Sequence, residues 1–270
     1  MSRSKDIADV TKLMDECKSM GIQTLGPDVN ESNLKFSVNA AGDIRFGMGA
    51  IKGVGEAAVQ AIIDERDKNG MFKSIYDFME RINLSACNRK CMESLALAGA
   101  FDGFAPICRE QYFATNERGE VFLDSLIKYG QKYQCDTAFA GATLFGDIEE
   151  IEISHPEPPA QFRPWSDLER LNKERDLIGI YISGHPLDEF QIVLENVCNL
   201  KAIDLEDLNG HVNMDVSLGG IITELREGIT KTGKPYGIVK IEDYSGSGEI
   251  ALFGQDWATW SGYLRIGNSV

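Results

Sequence analysis

The sequence predicts a multidomain α+β chain: a helical region built around one glycine-rich turn, a helical connector, and a small β-barrel that is incomplete. Three observations carry this. Apolar residues recur at helical spacing through roughly the first two hundred positions. From Val212 the pattern changes to short apolar runs separated by turns rich in Gly, Ser and Pro. Gly53-Val54-Gly55 stands between a short alternating run and a long helical pattern.

Composition bounds the rest. A length of 270 residues suggests about two domains. The hydrophobic fraction of 43% is ordinary for a folded chain, and no run is apolar for long enough to span a membrane. The N-terminus, MSRSKDIADV, has no signal-peptide core. Six cysteines are scattered; Cys87 and Cys91 have helical spacing, and no second pair or histidine completes a zinc site. Free buried thiols in a cytoplasmic protein are expected. The net charge of −15 argues against nucleic acid, because phosphate contacts need local positive charge. The distribution softens this: Lys35 to Glu110 holds ten bases and ten acids, while Asp147 to Glu157 holds five acids and no base.

Taken in order, residues 5–20 read as an amphipathic helix with Ile7, Val10, Leu13, Met14 and Cys17 on one face, stopped by Gly21. An irregular loop marked by Gly26-Pro27 and Asn30 follows. Phe36 and Val38, then Ile44 and Phe46, suggest two strands around Asn39–Asp43. Next comes Gly53-Val54-Gly55, with Val59, Ile62 and Ile63 on one helical face and Glu56, Gln60, Asp64 and Arg66 on the other. Two glycines one residue apart let the backbone turn with no side chain in the way. The first amides of the helix have no internal partner and carry partial positive charge. Such a turn holds phosphate with backbone alone, and Lys52 adds a mobile cation. With Ile51, Gly53, Val54, Gly55, Val59 and Ile62 filling its positions, the stretch resembles a helix-hairpin-helix DNA-binding element. Taken alone, these residues serve equally as an ordinary strand-to-helix turn.

Gly70 ends that helix, and Ser74 caps the next. Asn88 caps a further helix with Cys91, Met92, Leu95 and Leu97 inward and Gly99 at its end. This second helix-loop-helix lacks paired glycines; Arg89 and Lys90 at its entrance read first as the solvated start of a core helix. Residues 109–133 are helical by period, interrupted by Gly119. Residues 134–164 read as a linker, with Leu144 and Phe145 exposed inside it, either packed back or anchoring a partner. Ser166 starts a helix with capping-box spacing. Ser183, His185 and Asp188 invite a hydrolase reading, which three neighbouring polar residues do not by themselves support. Residues 187–197 resume a helix. Strands are expected at 216–222, 236–242 and 250–253, a short helix at 256–264, and the start of a fourth strand at 266–270. This suits an incomplete OB-fold; any small β-meander is the alternative. Phe253, in an apolar run, is expected in the core.

Together GIQTLGPDVNESNLKF, IRFGMGAIKGVGEAAVQAIIDER, GMFKSIYDFMERI, NRKCMESLALAGAFD, ATLFGD, LIGIYISGHPLDEF and TKTGKPYGIVKIEDYSGSGEIALF resemble, in order, the C-terminal half of the α subunit of bacterial DNA polymerase III, a replicative C-family polymerase. The resemblance implies a layout: residues 1–34 the end of the fingers, 35–110 the helix-hairpin-helix DNA-binding region, 111–164 a helix and linker with a clamp-binding peptide, 165–208 a helical connector, and 209–270 the OB domain. It implies DNA binding at Ile51, Lys52, Gly53, Val54, Gly55 and Glu56. It implies sliding-clamp binding at Thr143, Leu144 and Phe145, although Gly141 stands where the family's peptide has glutamine. It implies single-strand binding near Arg226, Lys231, Lys234 and Tyr236. The family's catalytic palm motif of spaced aspartates is absent, and Asp28 does not stand in for it. The chain is therefore expected to have no catalytic or metal-binding residues of its own, with Mg2+ and nucleotidyl transfer belonging to the parent chain's palm. Expected partners are double- and single-stranded DNA, the clamp and other replicase subunits, with no membrane. The alternative is a stand-alone acidic protein-interaction scaffold.

Overall fold

The computed structural model describes residues 7–142 and 154–270. The chain divides into two compact units, Met1–Ser183 and Gly184–Val270. The expected clamp peptide, Thr143-Leu144-Phe145, lies outside the described residues.

The first unit opens with α1 (Ile7–Ser19), ended by Gly21 in a left-handed conformation, φ +74°. A small sheet follows: β1 (Thr24–Leu25), β2 (Ser37–Val38) and β3 (Ile44–Arg45) in the order β1-β3-β2. The two expected strands are there, shorter than the pattern suggested, and Asn39 Oδ1 ties their turn by accepting from the amides of Ala41 and Asp43. The loop before them hides β1, which pairs in parallel with β3. Phe46, expected in the second strand, lies just beyond it, and a 3-10 turn follows over Met48–Ala50.

Next come α2 (Glu56–Asn69), α3 (Ile75–Arg81), α4 (Arg89–Leu97), α5 (Arg109–Phe113), α6 (Phe122–Ala142) and α7 (Asp167–Ile178). The capping residues do what their types dictate. Ser74 Oγ accepts from Asp77 N at 3.1 Å, Asn88 Oδ1 from Cys91 N at 3.0 Å, and Ser166 Oγ from Glu169 N at 3.2 Å. Gly119, φ +75°, lies in the turn that divides α5 from α6. The core joins Ile51, Val54, Val59 and Ile62 to Phe78, Met92, Leu95, Phe101, Tyr112 and Phe122. Helix α4 lies at its centre, packed against α5, α6 and α7.

Buried Glu174 on α7, 1% exposed, accepts from Arg109 Nη1 and from Ser183 N and Oγ. Arg109 also pairs with Asp102. The buried charge is thus both paired and hydrogen-bonded, as burial requires.

The second unit begins with a 3-10 turn at Asp188–Phe190 and α8 (Gln191–Asn196). Its sheet is an antiparallel meander of β4 (Ile221–Ile229), β5 (Pro235–Asp243) and β6 (Gly246–Phe253), followed by α9 (Gln255–Trp260). The first strand is displaced from the expected 216–222: residues 223–229 carry it onward, with Glu224, Arg226 and Glu227 exposed. A register shift between Ile222 and Glu224 marks a bulge. Ser269 bridges back to Ile221, so the chain does return toward the first strand. Among the described residues the sheet does not close into a barrel. Its core holds Ile222, Val239, Ile241 and Trp257. Gly237 is required there, because a Cβ on it would stand 2.2 Å from the Trp257 ring.

Candidate nucleic-acid interface

The turn before α2 divides cleanly by burial. Ile51 and Val54 are buried, while Lys52, Gly53, Gly55, Glu56 and Ala57 are exposed. The apolar pair thus anchors a loop whose intervening backbone faces water. Lys52 N donates to Leu177 O at 2.9 Å, fixing the turn to the C-terminal end of α7, and Val54 N closes on Ile51 O at 3.1 Å. Gly53 has φ +92°, a region that side chains disfavour. Gly55 is the N-cap of α2 and offers no side-chain cap. Among the described residues, no acceptor is hydrogen-bonded to the amides of Gly53, Gly55, Glu56 and Ala57. These are four exposed donors at the positive end of a fourteen-residue helix, the geometry that favours negative charge. The Glu56 carboxylate, in the same first turn, opposes it.

The second hairpin, residues 82–88, differs. Asn83 Oδ1 accepts from Ser85 N at 2.9 Å and Ala86 N at 3.2 Å, and Asn83 O accepts from Cys87 N at 2.9 Å. Three of its amides are thus engaged by Asn83, while among the described residues no acceptor is hydrogen-bonded to the amides of Asn88, Arg89 and Lys90 at the start of α4. Arg89 is held by Asp124 at 2.7 Å and Glu93 at 3.3 Å. Lys90 faces the first hairpin: its Cε lies 3.7 Å from where a Cβ on Gly53 would stand. The sequence gives no sign of this approach, because the two residues are far apart along the chain.

In the second unit, Tyr236 and Phe253 stack with ring centroids 5.8 Å apart. They lie on the face opposite the core. Phe253 is 53% exposed, which overturns its expected core position: Ile250 and Leu252 point inward, and Ala251 and Phe253 point out. Lys231 and Lys234 are exposed in the adjoining turn. Arg226, expected to attract a nucleic-acid backbone, is instead ion-paired with Glu249 across the sheet.

Other candidates resolve structurally. Asp28 caps its own loop, accepting from Asn30 N at 2.7 Å, and burial raises its carboxyl above the usual range. His185 Nδ1 accepts from Leu187 N at 3.2 Å, and Asp188 Oδ2 from His185 N at 2.8 Å. Ser183 donates to Glu174. These bonds serve turns and helix ends. Among the described residues no cluster of three or more His, Cys, Asp or Glu is arranged to hold a metal ion, and no helix is long and apolar enough to cross a membrane.

A helix-hairpin-helix motif family model matches residues 21–112. The DNA polymerase III subunit alpha of Pasteurella multocida (strain Pm70) is 34% identical over 257 residues, 94% of this chain and 21% of the relative. That of Vibrio cholerae serotype O1 is 33% identical over 262 residues, 95% of this chain and 21% of the relative. That of Escherichia coli (strain K12) is 32% identical over 248 residues, 90% of this chain and 20% of the relative. The chain spans about a fifth of the length of these relatives.

Proposed function

We propose, on the premise that this chain is homologous along nearly its whole length to a segment of bacterial DNA polymerase III α subunits, that it is a DNA-handling part of a replicative polymerase. Its first hairpin holds a backbone phosphate of duplex DNA. The observation that carries this is the set of four open amides at Gly53, Gly55, Glu56 and Ala57, exposed beside Lys52. Backbone donors on a phosphate fix position and carry no sequence information. The grip is therefore sequence-independent and salt-sensitive, and the neutral charge of its surroundings makes it weak on its own.

Two further roles belong to the same reading. Residues 209–270 act as an OB-type domain in which Tyr236 and Phe253 stack single-strand bases, with Lys231 and Lys234 drawing the backbone in. The antiparallel meander and the stacked, outward rings support this. Thr143-Leu144-Phe145 anchors a sliding clamp, a role supported by its match to the end of the family's clamp peptide. Nucleotidyl transfer falls to residues outside these 270, since the sequence carries no palm-type aspartate motif.

The test of the grip is fluorescence anisotropy of a labelled duplex at rising salt. Lys52→Ala should weaken binding and lower the salt slope by about one unit. Unchanged affinity and slope would remove the hairpin from the account. For the clamp, Leu144→Ala with Phe145→Ala should abolish surface plasmon resonance binding to a purified sliding clamp, and retained binding would remove that assignment.

A further inference from the structure

We infer that the second hairpin lends the first a cation: Lys90, from the start of α4, joins Lys52 at the phosphate held by Gly53–Gly55. This rests on the reading of Gly53–Gly55 as a phosphate site. It adds a residue to that site.

The two turns differ in their caps. In the second hairpin Asn83 Oδ1 occupies Ser85 N and Ala86 N, and Asn88 Oδ1 occupies Cys91 N. The first hairpin has Gly55 at its helix N-cap where the second has Asn88, so no side chain covers its amides.

The loan is in the packing of α4. Lys90 and Ser94 are one helical turn apart and share the face that lies on Gly53. A Cβ on Gly53 would stand 2.6 Å from Ser94 Oγ and 3.7 Å from Lys90 Cε. Ser94 is fully buried, and its Oγ points at the hairpin with no hydrogen-bond partner. Van der Waals contact with Gly53 therefore sets how close Lys90 comes. The Lys90 side chain is 67% exposed, and its nearest acid is Glu93, with Nζ at 3.9 Å. It is thus able to swing onto a ligand. Arg89, committed to Asp124 and Glu93, is not. Lys52 precedes Gly53 in the chain and Lys90 lies against it, so the two cations share one phosphodiester at that turn. Glu56 and Glu93 set the net positive charge of the site low.

A double-mutant cycle on labelled duplex DNA decides this, using the whole chain and anisotropy across a salt series. Lys90→Ala should weaken binding several-fold and lower the salt slope by about one, as Lys52→Ala does. The double variant should lose much less than the product of the two factors, with no further fall in slope, because both cations serve one phosphate. Arg89→Ala should bind as wild type. If Lys52→Ala weakens binding and Lys90→Ala does not, the loan is wrong while the grip stands. If the two effects multiply and the slope falls by about two, each lysine has its own phosphate and the shared-site inference fails. If neither variant changes binding, the phosphate reading itself fails.

Discussion

Gly53 and Ser94 meet across a gap that only a glycine leaves open: a Cβ on Gly53 would stand 2.6 Å from Ser94 Oγ. Gly53→Ala should therefore destabilise the first unit twice over. It forces a side chain into a left-handed φ, at a cost of about 1–2 kcal/mol, and it adds the clash. Ser94→Ala alone should be neutral or slightly stabilising, since its buried hydroxyl has no partner to lose. Combined with Gly53→Ala it should recover the clash and leave the φ cost. Urea unfolding of the three variants checks this. A loss above about 1 kcal/mol for Ser94→Ala would mean that its hydroxyl is satisfied.

Asp28 gives a pH signature. Burial raises its carboxyl, with the Asn30 amide and Arg45 opposing more weakly. The folded state then binds the proton more tightly than the unfolded state. This group's contribution is favourable in acid and is lost as pH rises through the folded pKa. Asp28→Asn keeps an acceptor for Asn30 N and removes the buried charge. Its melting temperature should exceed that of wild type at neutral pH, and the gap should shrink as pH falls toward about 4. A gap independent of pH would contradict the cause given.

The outward ring pair makes a prediction about single strands. Phe253→Ala should weaken binding of an oligothymidylate by the worth of one stacked base, about 1–3 kcal/mol. Arg226→Ala should change it little, because that guanidinium is engaged by Glu249. Titration by tryptophan fluorescence reads both. The reverse ranking would move the single-strand site from the ring pair to the middle of the sheet.

Much of the first unit was legible because its signals are local. Ser74, Asn88 and Ser166 announce helix starts through side-chain bonds to amides three residues ahead. What was lost is non-local. Strand β1 is two residues long and gains its identity from pairing with Ile44 and Arg45. In the second unit the apolar run before Ile222 drew the first strand forward, while the true strand carries Glu224, Arg226 and Glu227 on exposed positions. Four apolar residues in a row, Ile250 to Phe253, conceal which alternate set faces in. At the candidate site, Gly53 and Gly55 were visible as a pair. The approach of Lys90 was not, since only the packing of α4 against the turn brings it there.

Gly55→Asp separates stability from function at the centre of the account. Gly55 has ordinary extended backbone, φ −77° and ψ 151°, and a Cβ on it would meet nothing within 4 Å. An aspartate there caps α2 with its own carboxylate, which should hold or raise stability by a few tenths of a kcal/mol. The same carboxylate occupies the amides and repels phosphate. Duplex binding by anisotropy, with Gly55→Ser as an uncharged cap for comparison, is the most direct measurement. The account predicts a fully folded Gly55→Asp protein that binds duplex DNA about tenfold or more weakly, with a shallower salt slope. Wild-type affinity and slope in that variant would contradict it.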